Sequence, residues 1–421
     1  MLMRFTVGNY RSFLDPVELD MRVTSLKEHR ATHVARIVVG GRTYELLRSA
    51  VIYGPNASGK SNFIRAMGLM RHLVLESATK YQADEALPIQ PFKLSASTRS
   101  SPAMFEVVFL HEDKRYRYGF RADQKRIHEE WLYHARQRET LLYHRTAKGF
   151  YLSSRLRGVQ SLKKHTRTNA LFLSVLAQFN HPLGTELRRW FRNSFHSLYG
   201  GTIESYLPYT LNRLDEDPNF QQRVRSLVRL ADVGIDDLSV EKIPLQQALS
   251  RFPSEVRQAL QESLPDTGVM INIRTRRGEV FFDFTEESHG TQKFIALLGP
   301  FLDALDHGYV LAVDELEAHL HPFLTRRLIE MFHSPKINPH NAQIIFTTHD
   351  LTLLNENLFR RDQVWFMEKD ERGATDFYSL ADIRERKDVS LLKRYREGRY
   401  GAIPRLNALP SFMAQGTNNG S

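Results

Sequence analysis

The chain has 421 residues, 42% hydrophobic and 25% charged, and these ordinary globular values exclude a fibrous or wholly disordered protein. It contains no cysteine, which excludes a disulfide framework, a thiolate metal site and a thiol nucleophile. The formal charge is +10, and Lys114 to Arg167 alone holds fifteen Lys and Arg against four Asp and Glu. The basic character is therefore concentrated in one segment.

No long uncharged apolar stretch occurs, so no membrane association is expected. The first residues lack a charged segment followed by an apolar run and a cleavage site, and we expect a cytoplasmic protein. At this length, one large α/β domain with an inserted or appended subdomain is the natural expectation.

The first third of the chain predicts strands around one glycine-rich turn and one helix. We expect strands at Met3–Val7, Ile37–Val39 and Ala50–Tyr53, a helix over Asn62–Glu76, and an antiparallel pair, Phe105–Leu110 with Arg115–Phe120, turning at Glu112 and Asp113. Gln124 to about Leu264 mixes Pro and Gly interruptions with helical periodicity, as in Asn219–Leu230 and Ser254–Leu264, without a long heptad run.

From Val280 onward, strand and helix patterns alternate, which predicts a mainly parallel sheet with covering helices. The expected elements are a strand at Val280–Phe284, a helix at Thr291–Leu305, a strand at Tyr309–Val313, a helix at Pro322–Phe332 and a strand at Gln343–Thr347. Four segments are predicted: 1–123 with the glycine-rich loop, a helical or mixed insertion at 124–264, the second half of the α/β core at 265–380, and a basic tail at 381–421.

The glycine-rich turn matches G-x-x-x-x-G-K-[ST] and lies between an apolar strand and a helix, which is the context of a P-loop. In that motif the backbone N–H groups bind the β-phosphate, Lys60 neutralises β- and γ-oxygens, and the Ser61 hydroxyl binds Mg²⁺. ATP and Mg²⁺ are therefore the predicted cofactors. The predicted nucleotide-binding residues here are Gly54, Pro55, Asn56, Ala57, Ser58, Gly59, Lys60, Ser61 and Asn62.

The apolar strand ending at Val313 is followed by two adjacent carboxylates, Asp314 and Glu315. Alone, such acids would be solvated groups at a strand end. After a P-loop they indicate a Walker B motif, in which Asp314 holds the Mg²⁺ shell and Glu315 polarises the attacking water as general base.

Two further motifs resemble those of ABC ATPases. His349 follows an apolar strand, and this resembles the switch histidine that contacts the γ-phosphate. Ser288, Gly290 and Thr291 precede the helix leading to the Walker B strand, where these ATPases carry the signature Ser-Gly-Gly-Gln that binds ATP of the opposite protomer. Ser288 and Gly290 match, whereas His289 and Thr291 depart. An N-capping turn is the alternative interpretation.

The resemblance extends to the residues around these motifs. Glu317, His319 and His321 follow Glu315 where ABC proteins carry the D-loop; a metal site is a weaker alternative to a polar loop opening a helix. Gln90 is a candidate for the metal-sensing glutamine. The order P-loop, insertion, signature, Walker B and switch histidine implies an ABC-type P-loop ATPase, class α/β, with a flanking antiparallel sheet and an inserted, mostly helical subdomain.

Four more stretches resemble the RloA-like AAA-family ATPases of bacterial abortive-infection and anti-phage operons, so the resemblance covers nearly the whole chain. They are Phe5–Phe13, Arg167–Ser174, Leu230–Ile235 and Tyr395–Pro404. The resemblance implies a separately encoded effector, often a Toprim-type nuclease. A Toprim domain needs an Asp-x-Asp pair, and none follows His349, so no nuclease site is expected in this chain.

In the basic segment, cationic residues alternate with aromatic ones. Such a pattern can bind nucleic acid or an acidic protein, but aromatic residues at alternating strand positions also form cores. The basic stretch from Arg384 to Arg405 is either a solvated helix or a docking element for an effector or a neighbouring subunit.

We therefore expect an ATP-driven switch that forms a head-to-tail homodimer or a higher assembly and controls its effector. A RecF-like or chromosome-maintenance-like DNA-repair ATPase is the alternative function. A transporter ATPase subunit is disfavoured, because such subunits lack a long insertion at this place.

Overall fold

A computed structural model describes residues 1–199, 206–231, 234–244, 269–354, 357–385 and 390–404. The helix predicted at Ser254–Leu264 lies outside these residues. The described helices are α1 Arg30–His33, α2 Lys60–Glu76, α3 Phe172–Gln178, α4 Pro182–Asn193, α5 Leu207–Glu216, α6 Pro218–Leu230, α7 His289–His307, α8 Pro322–His333 and α9 Leu391–Arg396.

A six-stranded sheet forms the centre of the fold, in the order β11-β15-β16-β5-β17-β18. Its strands are β5 Ser49–Tyr53, β11 Phe195–Leu198, β15 Val310–Val313, β16 Gln343–Thr347, β17 Val364–Lys369 and β18 Thr375–Ser379. All neighbours are parallel except β17 and β18. Every residue of β5 and β16 is buried, as expected for parallel strands covered on both faces. The predicted, mainly parallel sheet is confirmed.

Alternate residues of the central strands pack into two separate cores. In β5, Ala50 and Ile52 join the core that contains α2, whereas Val51 and Tyr53 join the core that contains α7 and α8. The two-residue period of a strand sends successive side chains to opposite faces. The central sheet is therefore the middle layer, with α2 on one face and α7 and α8 on the other.

A seven-stranded antiparallel sheet shares the core of α2, in the order β10-β9-β8-β7-β6-β1-β2. Its strands are β1 Leu2–Gly8, β2 Val17–Asp20, β6 Ala103–His111, β7 Lys114–Ala122, β8 Ile127–Ala135, β9 Glu139–Thr146 and β10 Gly149–Leu152. The hairpin expected at Glu112 and Asp113 joins β6 to β7. The sheet continues through β8, β9 and β10, beyond residue 123, where we expected the insertion to begin.

The aromatic residues of the basic segment belong mostly to this core. Tyr116, Tyr118, Phe120 and Tyr143 are fully buried. Tyr151 is exposed, and Tyr133 is covered by the Arg117 guanidinium at 3.9 Å from its ring centroid. The core interpretation therefore holds for these four buried residues, which cannot stack on the bases of a nucleic acid.

Two smaller sheets complete the described fold. One pairs β3 Val34–Val39 with β4 Arg42–Leu47, and the other joins β12 Asp237–Pro244, β13 Val269–Arg277 and β14 Val280–Asp283. After β14, a single 3₁₀ turn and Ser288 lead directly into α7. The three-stranded sheet therefore borders the N-terminus of the helix that carries the candidate signature. Among the described helices, none combines the length and apolar character that crossing a membrane requires.

Candidate nucleotide site

The predicted P-loop connects the buried strand β5 to the first turn of α2. Lys60, the first residue of the helix, donates its ammonium to the carbonyl oxygens of Gly54 at 2.7 Å and Pro55 at 3.1 Å. Gly59 has φ +114°, and a Cβ there would lie 2.3 Å from the Thr375 hydroxyl, so only glycine fits. Thr375 in turn donates to the carbonyl of Ser58 at 2.6 Å. The loop therefore closes around Lys60, and a hydrogen bond from the first residue of β18 stabilises it.

Within the loop, burial differs from residue to residue. Asn56 and Ala57 are exposed, Ser58 is buried, and Ser61 and Asn62 are half-buried. Asn62 donates to the hydroxyl of Ser12 at 3.0 Å, which ties the start of α2 to the segment after β1.

Lys60 is 5% exposed, and burial lowers its pKa to about 8. The negative charges of Asp314, Glu315 and Glu317 act to raise the pKa of Lys60, in the opposite direction. A lysine with this pKa is still largely protonated at pH 7. It can therefore bind phosphate oxygens as a cation.

The two predicted Walker B acids lie where β15 ends. Thr347, at the end of β16, donates its hydroxyl to Oδ1 of Asp314 at 2.7 Å and accepts the backbone N–H of Glu315 at 2.8 Å. Glu315 has φ +48° and is exposed. One threonine from the neighbouring strand therefore holds the carboxylate of Asp314 and the backbone of Glu315.

His349 lies just past the end of β16 and is exposed. Its backbone N–H donates to Oε1 of Glu317 at 2.5 Å. Desolvation and the charge of Lys60 lower the pKa of His349, whereas Glu317, Glu315 and Asp314 act to raise it. The switch-histidine candidate therefore belongs to the same electrostatic cluster as the P-loop lysine and the Walker B acids.

The candidate signature residues form the N-terminus of α7. Ser288 is the N-cap, and its hydroxyl accepts the N–H of Thr291 at 3.1 Å, so the capping interpretation holds in this chain. A Cβ on Gly290 would lie 2.4 Å from the carbonyl oxygen of His319. Lys293 donates to the carbonyl of Glu315 at 3.1 Å. The turn is therefore packed against the loop after the Walker B motif, while Ser288 itself is exposed.

Gln90, the candidate metal-sensing glutamine, is exposed, and its carbonyl accepts the N–H of Arg11 at 2.8 Å. No hydrogen bond found among the described residues joins its side chain to Ser61 or Asp314. Its role remains a prediction.

A hydroxyl from Ser61 and a carboxylate from Asp314 are the hard oxygen donors that Mg²⁺ prefers. Thr347 already holds Oδ1 of Asp314, which orients the carboxylate as outer contacts orient metal ligands. The residues present therefore fit the predicted Mg²⁺ site.

A cavity of about 790 Å³ opens beside the first half of the P-loop. Gly54, Asn56 and His349 line one part of it, and Tyr395 and Pro404 from the C-terminal stretch line another. Tyr395 is buried, stacks on Phe366 at 5.6 Å and donates to the carbonyl of Ala402 at 2.6 Å. This part of the basic tail is therefore packed against the nucleotide core.

Sequence analysis missed three of these residues: Thr347, Lys293 and Thr375. A threonine at the carboxyl end of an apolar strand was a usable signal for Thr347. Lys293 and Thr375 carried no such signal, because their contacts depend on how distant segments pack.

The topology, the P-loop after β5 and the acids after β15 define this protein as a P-loop ATPase of the ABC type. The chain belongs to the family described as AAA domain, putative AbiEii toxin, Type IV TA system, whose model matches residues 49–355. No curated protein matches the sequence. Among solved structures, the chain is similar to the recombination mediator protein RecF-ATPrS of the RecFOR pathway. The two are 13% identical over 90% of this chain and 98% of that chain, with a TM-score of 0.29.

Proposed function

We propose that this protein hydrolyses ATP and acts as the sensor or switch subunit of an anti-phage, abortive-infection system. One observation supports the ATPase mechanism above all others: Lys60, Glu315 and His349 follow β5, β15 and β16, three adjacent parallel strands. The carboxyl ends of such strands meet at one edge, where ligands of open α/β sheets bind.

Each residue has a distinct proposed role. Lys60 and the P-loop N–H groups bind the phosphates, and His349 contacts the γ-phosphate. Glu315 accepts the proton of the attacking water as general base. Ser61 and Asp314 hold Mg²⁺, which when bound neutralises charge on the phosphate oxygens. Positioning and charge stabilisation are what phosphoryl transfer mainly requires.

The proposed assembly is a head-to-tail homodimer, or a larger assembly of dimers, with ATP between protomers. Glu315, His349 and Ser288 are all exposed in the single chain. The γ-phosphate side is therefore open, and the N-terminus of α7 in a second copy can supply its Ser288 hydroxyl and helix dipole there.

The biological role rests on the family. Its description names an AbiEii toxin and a type IV toxin–antitoxin system, which supports a role in abortive infection. On the same family likeness, we propose that a separately encoded effector of the Toprim nuclease class supplies the toxic activity. The cationic residues of 114–167 are the proposed contact for nucleic acid or an acidic protein.

The ATPase proposal is tested with Lys60→Ala and Glu315→Gln, using Glu129→Gln on the flanking sheet as control. We expect Lys60→Ala to abolish nucleotide binding. Glu315→Gln should bind ATP, hydrolyse it at least about a hundredfold more slowly and accumulate as an ATP-bound assembly in light scattering. Unchanged turnover in both variants would refute the mechanism.

The partner is tested separately. Affinity purification from the native host with ATP present, followed by mass spectrometry, should recover a toxin-like effector encoded next to this gene. Recovery of recombination proteins instead would support the DNA-repair alternative.

A further inference from the structure

Glu317 connects the loop after the Walker B acids to the loop that carries His349. Its Oε1 accepts the backbone N–H of His349 at 2.5 Å, across 32 residues of sequence. The side chain therefore holds the main chain of His349 from the end of a neighbouring strand.

The other carboxylate oxygen of Glu317, Oε2, lowers the stability of the fold. Oε2 is buried and has no hydrogen-bond partner among the described residues. A buried acceptor without a donor destabilises a protein, so stability alone does not favour a glutamate at this position. This cost points to a role for the Oε1 contact.

The charge around Glu317 ties it to the proposed reaction centre. The negative charge of its carboxylate acts to raise the pKa values of Lys60, His349 and Lys293. Lys293 in turn donates to the carbonyl of Glu315. Glu317 is two residues after Glu315, so one short loop carries both the proposed general base and the group that holds His349.

We propose that Glu317 is a positioning residue for ATP hydrolysis, which sets the place of the His349 ring through its backbone. This inference rests on the proposed ATPase function. The Oε1 contact fixes the position of His349, the proposed γ-phosphate contact, relative to Glu315. Nucleotide binding itself is the task of the P-loop in this proposal.

Two conservative substitutions separate the effect of side-chain length at position 317 from the effect of its charge. Glu317→Gln keeps the length and an acceptor oxygen but removes the charge, so kcat should stay within about threefold of the native value. Glu317→Asp keeps the charge but is one methylene shorter, so kcat should fall about 10-fold to 100-fold with an unchanged KM for ATP. Glu317→Ala should match Glu317→Asp. The opposite pattern, with Asp active and Gln inactive, would overturn the proposal.

A double-mutant cycle with His349→Ala tests whether Glu317 acts through that histidine. If it does, Glu317→Asp/His349→Ala should be no slower than His349→Ala alone. Losses that multiply would show that Glu317 acts elsewhere and would overturn the inference. Thermal unfolding of each variant shows whether it is folded. If Glu317→Ala does not fold, the comparison of Glu317→Asp with Glu317→Gln still tests the proposal.

These experiments distinguish a failure of the ATPase proposal from a failure of the positioning role of Glu317. If Lys60→Ala and Glu315→Gln hydrolyse ATP like the native protein, the proposed function is wrong. If those variants are inactive while Glu317→Asp keeps native kcat, only the role of Glu317 is wrong.

Discussion

Thr347 donates its hydroxyl to Oδ1 of Asp314 over 2.7 Å, from the strand next to the one that carries the aspartate. The same hydroxyl accepts the backbone N–H of Glu315 at 2.8 Å. Thr347 is fully buried, so solvent does not compete for these contacts. One side chain therefore holds the carboxylate of the proposed Mg²⁺ ligand and the main chain of the proposed base.

Replacing Thr347 by Val should weaken the Mg²⁺ site without removing a ligand. Outer contacts that orient a metal ligand contribute about 10-fold to 100-fold in affinity, so the Mg²⁺ concentration for half-maximal ATPase activity should rise about tenfold. Titration of ATPase activity with Mg²⁺ measures this. Thr347→Ser keeps the hydroxyl and should behave like the native protein, whereas an unchanged Mg²⁺ midpoint in Thr347→Val would contradict the prediction.

Nucleotide affinity should fall at alkaline pH. The pKa of Lys60 is lowered to about 8 by burial, so its ammonium is charged below that pH and neutral above it. Phosphate binding needs the charged form, and ATP affinity at pH 9 should be about tenfold weaker than at pH 7.5. Calorimetric titration across this range measures the effect. Lys60→Arg stays charged, so its affinity should not depend on pH in this range.

Gly290→Ala should impair hydrolysis and assembly but not nucleotide binding by the single chain. Gly290 is in the first turn of α7, and alanine has a higher helix propensity than glycine, so the substitution favours the helical backbone. The new Cβ would meet the His319 carbonyl at 2.4 Å and displace the turn that holds Ser288. We expect ATP-dependent light scattering to show loss of assembly. Native assembly in this variant would argue against a signature role for the turn.

Glu130→Ala should strongly destabilise the fold. The Glu130 carboxylate is fully buried and accepts the hydroxyls of Tyr118 and Tyr143 and the N–H groups of Phe172 and Leu173. Its loss leaves four donors without an acceptor, and we expect a decrease of about 3–5 kcal/mol in the free energy of unfolding, measured by chemical denaturation.

Glu129→Ala is the matched control for that change. Glu129 is the adjacent residue of β8, on the solvent side, where it contacts His144 at 2.8 Å. Both side chains are about one-third exposed, and pairs that solvent reaches in this way contribute about 0–1 kcal/mol. Equal losses in the two variants would show that the buried network is not what stabilises this region. Because Phe172 lies in the family-like stretch Arg167–Ser174, the network also gives that stretch a structural explanation.

Much of the nucleotide core could be predicted, because its elements carry local patterns. The P-loop between β5 and α2, and the strands before Asp314 and His349, are each recognisable from fewer than about twenty consecutive residues. The basic segment could not be assigned in the same way. A sequence of alternating basic and aromatic residues fits both a nucleic-acid surface and a core strand, and only the packing of β7, β8 and β9 against α2 and α3 distinguishes them.

The amino-acid sequence by itself determined which chemical groups the site contains: the P-loop amides, Lys60, two strand-end acids and His349. The tertiary structure alone decided how they are held, through Thr347, Thr375 and Glu317. The contacts of Thr347 and Glu317 exist because β16 lies next to β15, and the contact of Thr375 exists because β17 and β18 extend the sheet on the other side of β5. No local pattern encodes this order. Strand order depends on the packing of the whole chain, so the residues that orient a site are harder to predict than the residues that act in it.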